Sequence, residues 1–272
     1  MGSEKKWMLG LAVAGVAVTG SLSAQATEFT LQDGNSSALF NTASGTTSGQ
    51  QNWLIDGTDH LNLQAFFYRV GDTGPETNLG ALPILLEGAS DTNFSGTSDT
   101  LFVRYNGGDF LAEVKWSLQG GSAGSGTADV AEQIKLTNVS NGSLDMHFFQ
   151  YVDFDLGTDP NDDTLRIDNG RTAVQFDGQF YGSETVVTPV PTRYVADAVG
   201  NVVTLLTDGD ADDLPNLSGP VGPDDVAWAF QWDVTIAPGD SFLISKDKQI
   251  VPEPTSLALL GLGGLLLARR RR

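Results

Sequence analysis

The strongest constraint on the fold of this chain is the stretch Val226–Ile236, where large apolar side chains occupy every second position. Val226, Trp228, Phe230, Trp232, Val234 and Ile236 fall on one side; Ala227, Ala229, Gln231, Asp233 and Thr235 fall on the other. Successive side chains of an extended strand point to opposite faces, so a period of two marks a strand with one face in a core. Phe110, Ala112, Val114, Trp116 and Leu118 repeat the pattern, and Leu144, Met146, Phe148, Gln150, Val152 and Phe154 nearly do. Shorter candidates are 61–70, 101–105, 134–138, 172–177, 194–197 and 202–206. Turn formers separate them: Asn106-Gly107-Gly108, Asn141-Gly142, Asn169-Gly170 and Pro238-Gly239. The expectation is an all-β chain, an antiparallel β-sandwich of the jelly-roll or a related two-sheet form. Segments 134–154 and 226–246 read as hairpins, turning at Asn141-Gly142 and at Pro238-Gly239-Asp240. Segments 42–49 and 120–126 read as loops.

The two ends of the chain differ from this body. Lys5 and Lys6 precede an apolar run, Trp7 to Val18, and Ala24-Gln25-Ala26 then places small residues at the positions a signal peptidase reads. Residues 1–26 are thus expected to be a signal helix removed on export, with Ala24 and Ala26 as the cleavage site. At the other end Val251-Pro252-Glu253-Pro254 leads into an apolar run, Leu257 to Ala268, which stops on Arg269, Arg270, Arg271 and Arg272. A spanning helix needs roughly 20 apolar residues, so this short hydrophobic helix makes a poor permanent anchor. Its arginines belong on the cytoplasmic side by the positive-inside rule.

Residues 251–272 resemble the PEP-CTERM tripartite sorting signal: a Pro-Glu-Pro box, a short hydrophobic helix and a basic end. The resemblance implies processing by a membrane enzyme, an exosortase, that cuts at or near the box. It also implies transient inner-membrane insertion, then display on the surface or in the extracellular matrix of a Gram-negative bacterium that makes exopolysaccharide. The expected partners are signal peptidase, exosortase and exopolysaccharide.

Residues 27–250 remain as one acidic body. With 9 basic against 32 acidic residues its net charge is near −23, which repels nucleic acid and excludes it as a partner. The chain has no cysteine, so an exported body must be held by core burial rather than disulfides.

Two acidic clusters suggest Ca²⁺ as the one cofactor. Asp208-x-Asp210-x-Asp212 has the opening spacing of a calcium loop, but Asp213 stands where the turn glycine belongs and Gly219 where the closing glutamate belongs. Asp159-x-Asn161-x-Asp163 lacks the same two features; Asp153 and Asp155 lie just before it. A body this acidic also places carboxylates in loops by composition alone.

No catalytic set stands out. His60 and His147 have no neighbouring motif, and His147, alternating with Asp145 and Tyr151 on a polar face, reads as an exposed structural histidine. Trp116, Trp228 and Trp232 read as core, while Phe149 and Tyr151 oppose Phe148, so that strand is either covered on both faces or carries an aromatic, glycan-binding patch. The expected function is therefore non-catalytic: an envelope or biofilm-matrix protein rather than an enzyme. The alternative is a secreted carbohydrate-active enzyme or Ca²⁺-dependent glycan-binding module.

Overall fold

The structure is a computed structural model that describes residues 27–253 apart from 44 and 158. The signal segment with Ala24 and Ala26, and the sorting residues Pro254 and Arg269 to Arg272, lie outside the described residues. Among those described, no helix is long and apolar enough to cross a membrane.

The strands in chain order begin with β1 (Glu28–Asp33), β2 (Ser36–Asn41), β3 (Gly49–Ile55), β4 (Thr58–Asp59), β5 (Leu63–Val70) and β6 (Thr77–Asn78). There follow β7 (Ile84–Ser90), β8 (Thr100–Asn106), β9 (Phe110–Gly120), β10 (Ala128–Asn138), β11 (Leu144–Asp153) and β12 (Asp163–Asp168). The last are β13 (Thr172–Phe176), β14 (Phe180–Thr188), β15 (Arg193–Ala198), β16 (Val221–Asp224), β17 (Val226–Ile236) and β18 (Ser241–Pro252). One helix, α1 (Val199–Thr207), lies between β15 and β16.

Two antiparallel sheets result, and the β-sandwich expectation holds. The first runs β1-β2-β3-β5-β11-β17-β15, with β4 and β6 attached at its side; the second runs β16-β12-β13-β14-β18-β10-β9-β8-β7. The alternating stretch 226–236 is β17 from end to end, and its inward residues Trp228, Phe230 and Trp232 are buried.

Three local readings are corrected. Segment 202–206 is helical, because Val202 and Leu206 lie one turn apart and both bury on the same side. Neither expected hairpin forms. β10 pairs with β9 and β18, whereas β11 pairs with β5 and β17, so the turn at Asn141-Gly142 carries the chain from one sheet to the other. Pro238-Gly239-Asp240 does the same between β17 and β18. A period of two fixes which residues face inward but not which sheet a strand joins.

The interior is largely apolar, but a charged cluster lies where β18 runs between β10 and β14. There Lys246 and Lys248 of β18, Glu132 of β10, Glu184 of β14, and Gln50, Gln64 and Gln150 from the facing sheet are all buried at inward positions. Lys246 Nζ lies 2.5 Å from Glu132 and 2.9 Å from Glu184, as close ion pairs rather than well-aligned hydrogen bonds. Lys248 Nζ lies 2.8 Å from the other Glu132 oxygen and donates to Gln50 (2.8 Å) and Gln64. Gln64 donates to Glu132 at 2.8 Å, and Gln150 and Trp228 donate to Glu184 at 2.7 and 3.2 Å. Burial works to raise the Glu132 carboxyl, but the two ammonium groups outweigh it and hold it below the ordinary range.

Two positive and two negative side chains balance in this cluster. Removing one leaves an uncompensated buried charge, at a cost of about 3–5 kcal/mol. Glu132→Gln is therefore expected to lower unfolding free energy in urea by about that amount. Glu132→Leu combined with Lys248→Met, which removes charges in a pair, is expected to recover more than half of the loss.

Candidate functional site

The face of the first sheet that points away from the sandwich core holds the site. In the register of β5, β11, β17 and β15, Arg69, His147 and Asp233 form one row; Phe67, Phe149, Gln231 and Arg193 the next; Ala65, Tyr151, Ala229 and Val195 a third. Apart from Gln231 and Arg193 the second and third rows are apolar, and α1 covers them, burying Val202 and Leu206, together with Leu214, in one cluster with Phe67, Phe149 and Tyr151. The strand carrying Phe149 and Tyr151 is thus covered on both faces, and these rings form no exposed patch. Polar clusters remain at the two ends of the covered zone.

At one end, His147 Nδ1 lies 2.7 Å from Asp233 Oδ1. A carboxylate can only accept, so Nδ1 carries a proton, and in the neutral ring Nε2 is then the acceptor. Nε2 lies 3.6 Å from the exposed Asp72. A cavity of about 240 Å³ opens here, lined by Asp72, Asp145, His147, Asp233 and Thr235 among others. The His147 side chain is 14% exposed, so it is a held and accessible group rather than the solvated histidine expected.

Charged neighbours brace this pair. Buried Arg69 pairs with buried Glu76 and reaches Asp213 at 2.9 Å, and Arg193 approaches Asp213 at 3.4 Å. Gln231 donates to both Asp213 (2.8 Å) and Asp233 (2.7 Å). Burial would raise Asp213, but hydrogen bonds from Gln231 and Arg69 and the charge of Arg193 hold it below the ordinary carboxylate range. Burial raises Glu76, against the pull of Arg69.

At the other end, one carboxylate oxygen from each of Asp153, Asp155 and Asp225 lies within 4.8 Å of the others. Burial and the adjacent Asp155 push Asp153 up to about 7; burial and Asp225 push Asp155 up to about 6. A cleft of about 510 Å³ lined by Asp59, Asn62 and Asp155 opens beside them.

The residues singled out by spacing are placed differently. Asp208 and Asp210 are exposed in the turn after α1, and Asp212 is half-buried beside them. Asp159 and Asn161 are exposed, whereas Asp163 is fully buried at the start of β12 and does not share their loop surface. Its Oδ2 accepts from Gln175 (2.7 Å) and from the Leu156 N–H (3.2 Å), while Oδ1 has no partner. His60 is also buried; its Nδ1 accepts from the Gly157 N–H at 3.1 Å, and burial pulls it below the ordinary histidine range.

Sequence reading missed Arg69, Glu76, Asp225 and Asp233 as site residues, and placed Asp213 only in the acidic cluster with Asp208, Asp210 and Asp212. Asp233 was legible as an acid on the polar face of the best strand, directly opposite His147 once register is known. The spacing Asp91-x-Asn93-x-Ser95-Gly96 was also passed over, although it includes the turn glycine of a calcium loop. In the fold the Asp91 carboxylate accepts from the Ser95 and Gly96 N–H groups, and Asp99 is taken up by Thr92 and Asn93.

Comparison with known proteins gives two results. The PEP-CTERM protein-sorting motif matches residues 251–272, so the chain carries the tail of an exported exosortase substrate. No curated protein matches. Among solved structures, a bacterial glucoamylase complexed with acarbose is similar over 90% of this chain and 36% of its own, with TM-score 0.55 and 6% identity. This chain thus spans about a third of the glucoamylase's length. A galactose mutarotase related enzyme from Lactobacillus acidophilus is similar over 84% of this chain and 98% of its own, with TM-score 0.50 and 8% identity. The expectation that the body is not an enzyme is overturned here, since the sandwich is a fold on which carbohydrate-active enzymes are built. At these identities the likeness shows fold alone.

Burial and nearby acids push Asp163 up to about 8, and burial and Asp247 push Asp129 up to about 7. Such a group keeps its proton in the folded protein where the unfolded chain has lost it, so its stabilisation is full at acid pH and lost as pH rises through the folded value. Buried neutral His60 works in the opposite sense, losing stability as pH falls below about 6.5. Asp153 and Asp155 act in the same sense as Asp129 and Asp163, and the four carboxyls outweigh one imidazole. With EDTA present, the melting temperature is expected to fall from about pH 5.5 to about pH 8, and Asp163→Asn is expected to raise it at the upper end and flatten the curve.

Proposed function

We propose that the protein is an exported carbohydrate-active enzyme whose acid–base centre is His147 with Asp233, acting on a neutral saccharide at the outer face of the first sheet. The observation that carries this reading is the imidazole itself. Asp233 holds Nδ1 as the donor, and the ring lines a cavity with Nε2 3.6 Å from Asp72. A base so placed takes a proton from a sugar hydroxyl and returns it, chemistry that needs neither a cysteine nucleophile nor a redox cofactor. Asp233 also stabilises the imidazolium formed in that step.

Charge selects the substrate class. Asp72, Asp145 and Asp233 line the cavity, and with the acidic body they disfavour an anionic sugar. Arg69 and Arg193 are engaged by Glu76 and Asp213, so they position the carboxylates rather than bind an acidic ligand. The structures similar in fold support a saccharide: one is a glucoamylase complexed with acarbose and the other a galactose mutarotase related enzyme. Cell-surface exopolysaccharide, or sugars released from it, is the source that export to the envelope makes available.

The full-length protein, purified in detergent, should be assayed for anomer exchange of free aldoses by NMR and for reducing-end release from a polysaccharide panel. One of these activities is expected. His147→Asn is expected to reduce it about 100-fold or more without altering the melting curve, and Asp233→Asn to reduce it less. Full activity in His147→Asn, or no turnover of any sugar by the unaltered protein, would overturn the reading.

A further inference from the structure

We infer that Asp153, Asp155 and Asp225 form a binding site for a hard divalent cation, Ca²⁺, at the end of the first sheet remote from His147. The argument begins with register. Asp153 at the end of β11 stands opposite Ala227 of β17, and that register, continued just past the ends of both strands, points Asp155 toward Asp225. Like charges directly across a ladder repel. Here a third carboxylate joins them, with ligand oxygens of all three within 4.8 Å of one another.

Protein donors leave that charge uncompensated. Asp153 is 2% exposed. Its Oδ2 accepts from Tyr151 (3.0 Å) and Asn62 (3.0 Å), but its Oδ1 has no partner. Asp225 Oδ1 is likewise buried without a partner. Among the described residues, none of the three carboxylates makes an ion pair with lysine or arginine. An unpartnered, buried carboxylate oxygen costs several kcal/mol of lost solvation unless something takes the place of water.

The donor set selects the ion. Three carboxylates offer oxygen only, which suits Ca²⁺ or Mg²⁺ rather than a soft metal. Ca²⁺ takes six to eight oxygens with loose geometry and accepts water for the remainder, whereas Mg²⁺ demands a near-ideal octahedron. The cleft beside Asp155, about 510 Å³, gives water or a sugar hydroxyl access to the open side. The strands also make the site rigid: the Asn62 N–H donates to the Asp153 carbonyl at 3.0 Å and the Asp155 N–H to that of His60 at 3.1 Å, extending the ladder past both carboxylates. This site is distinct from the exposed Asp208, Asp210 and Asp212 turn, where spacing alone suggests a calcium loop.

The test uses full-length protein stripped with EDTA, with CaCl₂ added back during thermal melting. Tb³⁺ luminescence excited through tyrosine gives a second readout, since Tyr151 contacts Asp153. Ca²⁺ at about 1 mM is expected to raise the melting temperature by several degrees. The variant Asp155→Asn/Asp225→Asn is expected to melt higher than the unaltered protein in EDTA, because repulsion is gone, and to show neither the Ca²⁺-dependent rise nor the Tb³⁺ signal. That reversal of order separates a cation site from a merely structural cluster. Asp208→Asn/Asp210→Asn is expected to respond to Ca²⁺ as the unaltered protein does. No Ca²⁺ response at about 10 mM in the unaltered protein, or a response that survives in the Asp155/Asp225 variant, would overturn the inference.

Discussion

The packing of the two sheets depends on a charge-balanced cluster in the one place where a sandwich is normally driest. Lys248 reaches from β18 across the interior to Gln50 and Gln64 while also meeting Glu132 on its own sheet. Lys246 meets Glu132 and Glu184, and Glu184 in turn takes Gln150 and Trp228 from the opposite sheet. Relative to an apolar core of the same volume, such a cluster contributes little net stability, because desolvation offsets most of the attraction. Its effect is on alignment. Sliding β18 by two residues against β3 and β5 would carry Lys248 away from Gln50 and Gln64 and leave a buried ammonium without acceptors. With no disulfide to fix the sheets, this penalty for misalignment does the positioning.

That alignment governs the outer face of the first sheet. β11 and β17 are two inner strands of that sheet and are covered on both sides: by the core, and by α1 with Leu214. The covering segment is shorter than the strands. It seals the middle rows and stops, so the polar residues of the end rows are left at the margins of an apolar lid. His147 and Asp233 gain a partly dry environment at one margin, while Asp153, Asp155 and Asp225 are crowded at the other. Both candidate centres therefore come from one geometric fact, the mismatch in length between the lid and the strands beneath it. A lower local dielectric strengthens the interactions of both clusters and makes the unpaired carboxylates costly.

Much of the fold was legible because a half-buried strand writes its period into the sequence. The alternation at 226–236 and 110–118 gave those strands and their inward residues directly. The charged residues of β18 at inward positions were not legible as core, since a lysine at every second place reads as a solvated face until Glu132 and Glu184 are placed opposite. The failed hairpins share a different cause. Asn-Gly and Pro-Gly-Asp turns report that the chain reverses, but not whether the returning strand pairs with the last one or crosses to the other sheet. Segment 202–206 was misread because five mostly apolar residues fit either a strand or a single buried helical turn. The candidate centres were the least legible part. Asp225 is distant in sequence from Asp153 and Asp155, and Asp233 from His147; only the β11–β17 register joins them. Local sequence placed Asp153 and Asp155 in an acidic cluster, but only pairing across the sheet separates them from the solvated Asp159 and Asn161 and supplies Asp225.

The sorting tail is tied to the same strand that carries the central lysines. β18 continues through Val251 and Pro252, which stand opposite Tyr181 and Phe180 of β14, and the Glu253 N–H donates to the Gln179 carbonyl at 2.7 Å. No spacer separates the sandwich from the Pro-Glu-Pro box. Pro252 is the last residue of β18, and the Glu253 N–H adds one bond beyond it. A cut on the C-terminal side of Glu253 leaves every β14–β18 pair intact. A cut before Val251 would strip the two pairs that close the end of the ladder, at the edge of the region where Ile250 is fully buried. Cleavage anywhere beyond Glu253 therefore leaves the pairing of the sandwich whole. The strand that aligns the sandwich also sets the near limit of its export signal.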